Sequence, residues 1–171
     1  MALQLFKIAS TTVATPASSI DFTSIPAGYT DLKLVISSRD TNANSTNAFA
    51  NIALTFNGDA SSIYAWRLIY GLGTSLGNVS SSTASGIGVI YHPSSSATSG
   101  TFANTEVYIP NYTSSNYKSL SSDGQTETNA TAGFNYFTAA LWPSASAITS
   151  IKLTAMTNFD ANSTATLYGV L

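Results

Sequence analysis

Apolar and polar residues alternate along most of the chain, and the alternating segments are rich in β-branched and aromatic residues. Clusters of Gly, Pro, Asn, Asp and Ser separate these segments, a pattern typical of short antiparallel strands. It predicts about ten strands and little or no helix, because no segment of useful length has apolar residues at helical spacing with capping residues. The candidate strands are residues 3–13, 19–22, 31–38, 50–56, 64–70, 86–91, 101–109, 117–125, 133–142, 148–155 and 164–171.

Several of these strands have one wholly apolar face, since alternate residues of a strand point to the same side of a sheet. Such faces need a second sheet to cover them, so the sequence predicts an antiparallel β-sandwich that is jelly-roll-like. A chain of 171 residues has the size of a single domain, which we assign to residues 1–171. The residues predicted to share buried faces are Leu32, Leu34 and Ile36, then Ile52, Leu54 and Phe56, and finally Ile151 and Leu153.

Turn and loop signals lie between the strands. Asn57-Gly58 follows one strand, and Asp123-Gly124 predicts a hairpin-like turn inside residues 117–125. Residues 74–85 and 93–100 are dominated by Ser, Thr, Ala and Gly. We expect both stretches to be loops, exposed to solvent or ordered by a neighbouring subunit.

The charge of the chain is sparse. Only 8% of its residues are charged, with six basic and eight acidic side chains and a net charge of −2. The basic residues are dispersed, which argues against a nucleic-acid-binding face. No apolar run approaches the roughly 20 residues that span a bilayer, and Lys7 interrupts the N-terminal apolar segment, so we expect neither a membrane span nor a signal peptide. The absence of cysteine excludes disulfides and thiolate chemistry.

Catalytic residue patterns are weak. His92 is the only histidine and precedes Pro93, and the sequence favours a surface or interface imidazole over a triad base. Asp123 and Glu127 lie four residues apart, but a glycosidase needs two carboxylates that face each other about 5 to 9 Å apart. In strand and turn structure a spacing of four residues does not ensure that the two carboxylates face each other, and we predict that the chain is not an enzyme and has no cofactor.

A metal site is not predicted either. The segment that begins at Asp40 has oxygen ligands at alternate positions, including Asn42 and Asn44, as a calcium-binding EF-hand loop does. Ser45 replaces the glycine of that loop and Asn51 replaces its closing glutamate. A polar loop explains the segment better.

Two groups of side chains are candidates for an interface or for stacking on a ligand. Aromatic rings stack on sugars and also fill cores and subunit contacts; the rings concerned are Trp66, Tyr70 and Trp142. The second group lies in residues 1–14, a strand or an arm that we expect to contact neighbouring subunits, and it consists of Leu3, Leu5 and Phe6.

Five segments together resemble a family of small structural proteins of tailed bacteriophages. They are SSIDFTSIPAGYTDLKLVISSR at residues 18–39, ALTFNGD at 53–59, WRLIYG at 66–71, EVYIPNYTSSNYKSL at 106–120 and STATLYGVL at 163–171. The resemblance extends over nearly the whole chain. It implies a virion protein that decorates the capsid or forms part of a tail or fibre, and it supplies no catalytic residues.

From the resemblance we expect a capsid decoration, or cement, protein located on the capsid surface of the virion. Its partners would be the major capsid protein and further copies of itself, as a homotrimer. The sparse charge fits interfaces that stay closed, because little charge has to be desolvated. The alternative is a receptor-binding or glycan-binding module of a tail fibre or baseplate.

Overall fold

The computed structural model describes residues 4–43, 48–129 and 133–171. These ranges contain twelve strands and no helix, which confirms the predicted all-β class. Accordingly, no helix in them is long and apolar enough to cross a membrane. The strands are β1 (Leu5–Thr12), β2 (Ala17–Phe22), β3 (Asp31–Ser38), β4 (Phe49–Phe56), β5 (Tyr64–Leu72), β6 (Ser75–Ala84), β7 (Ile87–Pro93), β8 (Ala103–Ile109), β9 (Lys118–Thr126), β10 (Phe134–Trp142), β11 (Ile151–Phe159) and β12 (Thr164–Val170).

The strands form two antiparallel sheets that pack face to face. The larger sheet has eight strands in the order β1-β12-β3-β8-β9-β10-β5-β6, and the smaller has four in the order β2-β11-β4-β7. Successive strands β2, β3, β4 and β5 alternate between the sheets, as in a jelly roll. The hairpin β9–β10 is inserted between β8 and β5, and β1 and β12 extend the larger sheet beyond β3. The predicted jelly-roll-like sandwich is therefore confirmed.

The core lies between the two sheets and is built from the apolar faces that the alternation predicted. Each of the eight side chains predicted to share these faces is at most 1% exposed. The core brings together residues that are far apart in the sequence, because neighbouring strands in each sheet often come from distant parts of the chain. The predicted core residues that the structure confirms are Leu32, Leu34, Ile36, Ile52, Leu54, Phe56, Ile151 and Leu153.

Strand β6 corrects the prediction that residues 74–85 form a loop. A two-residue turn joins β5 to β6, with Leu72 opposite Ser75. Gly73 has a φ of 55°, the left-handed conformation that such hairpin turns favour at a glycine. Neither face of β6 is buried, so the strand lacks the alternation of apolar residues by which half-buried strands are recognised.

Glycines inside strands make room for tyrosine rings. Gly124 lies within β9, opposite Tyr136 of β10, and a Cβ atom there would come within 2.4 Å of that ring. Gly77 makes the same contact with Tyr70 at 2.5 Å. The hairpin-like turn predicted at Asp123-Gly124 is thus wrong, because this glycine is needed for ring packing and not for a turn.

Arg39 orders the loop that follows β7. Its side chain is buried, and its guanidinium donates hydrogen bonds to the carbonyl oxygens of Ala97 at 3.0 Å, Thr98 at 2.9 Å and Thr101 at 3.1 Å. The Asp160 carboxylate lies 3.8 Å from the guanidinium. Residues 94–100 form a loop as predicted, and contacts within the chain hold it in place.

Candidate interaction surface

The larger sheet has one covered and one uncovered face. The smaller sheet packs on the inner face, so Phe134, Tyr136 and Thr138 of β10 are buried. Asn135 and Phe137 alternate with them and are exposed on the outer face. This outer face is formed by a sheet of eight strands, against four in the smaller sheet.

Three large apolar side chains lie together at one end of the outer face. Ile69 of β5 is directly opposite Phe137 of β10, and the two are 61% and 62% exposed. Leu76 of β6, which is 91% exposed, lies opposite Gly71. We call Ile69, Leu76 and Phe137 the apolar patch. They line an open depression of about 570 Å³ together with Asn78 and Asn135.

Polar side chains surround the apolar patch. Asp123 lies opposite Phe137 on one side, and Asn78 lies opposite Ile69 on the other. Arg67 is the next outward-facing residue of β5 and is exposed. An apolar centre with a polar rim is the usual composition of a protein-binding surface.

A second cavity lies on the inner side, where β5 and β6 extend beyond the smaller sheet. It is a cleft of about 160 Å³ lined by aromatic and aliphatic side chains. The ring of Tyr70 stacks on Phe134 with centroids 5.5 Å apart, and Tyr91 packs against Phe134 at 4.8 Å. We call it the aromatic cleft, and its lining residues are Phe49, Tyr70, Leu72, Val79, Tyr91 and Phe134.

The hydroxyls of Tyr91 and Tyr136, in and below the aromatic cleft, remain protonated. Burial, assisted by the neighbouring Tyr70, raises the pKa of Tyr91. Burial likewise raises the pKa of Tyr136 to about 12. The Tyr136 hydroxyl lies 2.9 Å from the hydroxyl of Thr105 and accepts a hydrogen bond from the backbone N–H of Tyr91 at 3.2 Å. These two tyrosines therefore contribute hydroxyl groups and no charge.

A serine, a histidine and an aspartate meet in the interior. The Ser38 hydroxyl lies 3.0 Å from Nδ1 of His92, and Nε2 of His92 lies 3.3 Å from Oδ2 of Asp40 without the alignment of a good hydrogen bond. These three side chains are at most 1% exposed. The expectation of a surface or interface histidine is therefore wrong, because β7 places His92 inside, with its ring against Phe159.

The electrostatics of this buried cluster indicate a structural role. Burial lowers the pKa of His92 more than the nearby Asp40 carboxylate raises it, which leaves the imidazole neutral. Burial raises the pKa of Asp40, but His92 and the N–H groups of Thr157 and Asn42 outweigh that effect, and the carboxyl stays ionised. No substrate can reach a serine that is 1% exposed, so the cluster does not form an active site.

Two of the remaining candidate residues for catalysis and metal binding form hydrogen bonds with backbone groups close to them in the sequence. The carboxylate of Asp40 accepts a hydrogen bond from the N–H of Asn42 at 2.7 Å, and Asn44 lies outside the described residues. Glu127 accepts one from the N–H of Asn129 at 2.8 Å. Throughout residues 4–43, 48–129 and 133–171, no group of three His, Asp or Glu side chains could hold a metal ion.

The structure separates the three predicted aromatic candidates. Trp142 is 2% exposed and its indole N–H donates to Asp59 at 2.8 Å, so burial removes it from the stacking candidates. Trp66 lies half-buried on the inner face of β5, on the same side as the buried Leu68. It also lines an open depression with Ala65 and Ser81, whereas Tyr70 lines the aromatic cleft.

The N-terminal candidates lie at the opposite edge of the larger sheet. Leu5 and Phe6 belong to β1 and are 48% and 39% exposed. The ring of Phe6 stacks on Tyr29 with centroids 5.9 Å apart. Leu3 lies outside the described residues. From Leu5 onwards the predicted N-terminal strand is confirmed, and it pairs with β12 of its own chain.

Sequence reasoning missed the apolar patch. The segment Phe134-Asn135-Tyr136-Phe137 has large apolar residues on both faces of one strand, which is a signal that the outer face is not simply solvated. Leu76 falls in the predicted loop of residues 74–85, where no strand face is expected. Comparison of the chain with family models, with curated proteins and with solved structures gave no match.

Proposed function

We propose that the chain is a structural virion protein that binds the outer surface of an assembled bacteriophage capsid as an oligomer and stabilises the shell. The observation that carries the proposal is the uncovered outer face of the larger sheet, with the apolar patch at one end. The resemblance of the five sequence segments to phage structural proteins supports the virion as its location.

The physical argument concerns the cost of exposing the apolar patch. Ile69, Leu76 and Phe137 are each more than 60% exposed, and burial of such side chains gains roughly 1.5–3 kcal/mol each. The few charges of the outer face include the pair Lys33–Glu106, joined at 2.8 Å. At the rim of the apolar patch, Arg67 and Asp123 are the charges that a partner would have to desolvate or pair, so a tight contact requires a complementary polar rim on the major capsid protein.

The proposed contact is tested with capsids of the virus that encodes the chain, prepared without this protein. Wild-type protein should cosediment with them, and the double variant Ile69→Ser/Phe137→Ser should bind at least tenfold more weakly. Met156→Ser is the matched control, since Met156 is 61% exposed on β11 of the smaller sheet.

Two results would overturn the proposal. One is a wild-type protein that does not bind these capsids or that is absent from purified virions. The other is a double variant that binds as well as the Met156→Ser control. Quantitative densitometry of virions should give a copy number comparable with that of the coat protein, whereas a few copies per particle would favour a tail location.

A second candidate, glycan binding in a tail fibre or baseplate, rests on the aromatic cleft. Its rings offer apolar faces to a sugar, and Tyr70 and Tyr91 provide hydroxyls for hydrogen bonds. The test is binding to host cells and to a glycan array. Under this alternative Tyr70→Ala should abolish binding while Ile69→Ser/Phe137→Ser has no effect, which is the reverse of the pattern expected for capsid binding.

A further inference from the structure

The two edges of the larger sheet differ in how they are protected against pairing with another strand. Natural edge strands avoid such pairing by charge, proline, bulges or short length. Strand β1 has Lys7 and a bulge between Lys7 and Ala9. Strand β6 is ten residues long and contains neither charge nor proline. Its ladder with β5 shifts register only near its end, opposite residues 64–66.

Among the residues that the structure describes, no strand pairs with the outer edge of β6, so one row of its backbone groups has no partner strand. In antiparallel pairing, hydrogen-bonded pairs alternate with pairs that are not hydrogen-bonded. The pair Leu72–Ser75 closes the two-residue turn and is a hydrogen-bonded pair. Every second pair along the ladder is of the same kind, so Gly77 and Val79 also direct their backbone groups to β5. It follows that the backbone groups of Asn78 and Ser80 point to the free edge.

The sequence of β6 is suited to pairing with itself. A two-fold axis through Val79, near the middle of the strand, brings the two Val79 side chains opposite each other and places each Asn78 opposite Ser80 of the other copy. Val79 is 42% exposed and would become buried. Like charges opposite one another oppose the self-pairing of strands, and β6 has no charged residue.

We propose that two copies of the chain associate through antiparallel pairing of their β6 strands, which joins two eight-stranded sheets into one continuous sheet. The pair Val79–Val79 across the axis is of the kind that is not hydrogen-bonded, with Cα atoms about 4.5 Å apart. Asn78 and Ser80 form the flanking hydrogen-bonded pairs. The apolar patches of both copies then lie on the same side of the joined sheet, next to the axis.

This contact is independent of the proposed function, because it uses an edge and leaves the outer face open. It also leaves β1 free for a further contact, such as the three-fold arrangement expected from the sequence. Pairing through β6 alone gives dimers, and pairing of trimers through β6 gives particles of six chains.

A single cysteine tests the position of the axis. The chain has no cysteine, so Val79→Cys can form a disulfide only between two copies. A Cα separation near 4.5 Å permits that bond. We expect most of the Val79→Cys protein to run as a disulfide-linked dimer on a non-reducing gel after mild oxidation. Met156→Cys, exposed on β11, should stay mostly uncrosslinked under the same conditions.

Lysines at the edge test the pairing without a cross-link. Asn78→Lys/Ser80→Lys places four like charges beside the axis and should halve the mass measured by light scattering. The matched control is Ser119→Lys/Ser121→Lys, two exposed residues at the same spacing on the outer face of β9, and it should keep the wild-type mass.

Three outcomes would overturn the contact: a wild-type chain that is monomeric at micromolar concentration, an edge-lysine variant that keeps the wild-type mass, or a Val79→Cys variant that cross-links no more than Met156→Cys. Circular dichroism and thermal unfolding of each variant show whether it is folded. A chain that fails these tests but binds capsids would refute the edge contact and leave the proposed function standing.

Discussion

Strands β5 and β10 carry large apolar side chains on both faces, but only one face is covered. Leu68 is 1% exposed and its neighbour Ile69 is 61% exposed. Tyr136 is 1% exposed and its neighbour Phe137 is 62% exposed. Burial in the core explains why the inner residues are apolar, since the smaller sheet packs on them. The outer residues gain nothing comparable from folding, which is why we relate them to a partner.

The largest expected effect comes from truncation of the covered face. Leu68→Ala should lower the free energy of unfolding by about 2–5 kcal/mol, because it leaves a cavity in the core. Ile69→Ala, one residue away, should change it by less than about 1 kcal/mol, as is usual for an exposed site. Urea denaturation of the two variants measures the difference. Equal losses would contradict the distinction between the faces.

A smaller effect should follow from adding one methyl group to the covered face. Gly124→Ala places a Cβ atom 2.4 Å from the ring of Tyr136, which the bonds to Thr105 and Tyr91 hold in place. We expect a loss of about 1–3 kcal/mol, typical of overpacking. Gly28→Ala is the control, since no atom lies within 4 Å of a Cβ there. A stable Gly124→Ala variant would show that the ring moves freely.

The smallest effect concerns pH and the polar cluster enclosed between the sheets. Burial holds the pKa of His92 below its usual value of 6.5, so below about pH 6.5 the unfolded chain binds the proton first. Stability should therefore be lost as the pH falls from 6.5 through the folded-state pKa. Denaturation midpoints at pH 7.5 and 5 should differ less in His92→Gln than in wild type. The same pH dependence in both proteins would exclude His92 as the cause.

Much of the fold could be predicted from alternation. The bounds predicted for strand β3 match those observed, because a strand with one buried face alternates apolar and polar residues. Strand β6 could not be recognised in this way, since its stability depends on pairing with β5 and not on burial. Gly124 was misread because glycine favours turns in general, whereas here it accommodates a ring from the neighbouring strand.

The candidate surfaces were less predictable than the fold. Ser38 and His92 are 54 positions apart, and only the order of strands brings them together. The sequence predicts Tyr70 as an aromatic candidate, but apart from Leu72 of its own strand its neighbours in the aromatic cleft come from β4, β6, β7 and β10. Strand periodicity assigns a residue to a face, and it does not say which faces the second sheet will leave uncovered.

The tyrosine rings packed over glycines have a consequence for how this sequence can change with time. Gly124 and Tyr136 depend on each other, as do Gly77 and Tyr70, because each ring occupies the space that a side chain on the facing strand would need. Descendants of this chain should therefore gain or lose the two members of a pair together. A residue larger than glycine at position 124 should be found only where the residue at position 136 is no longer aromatic.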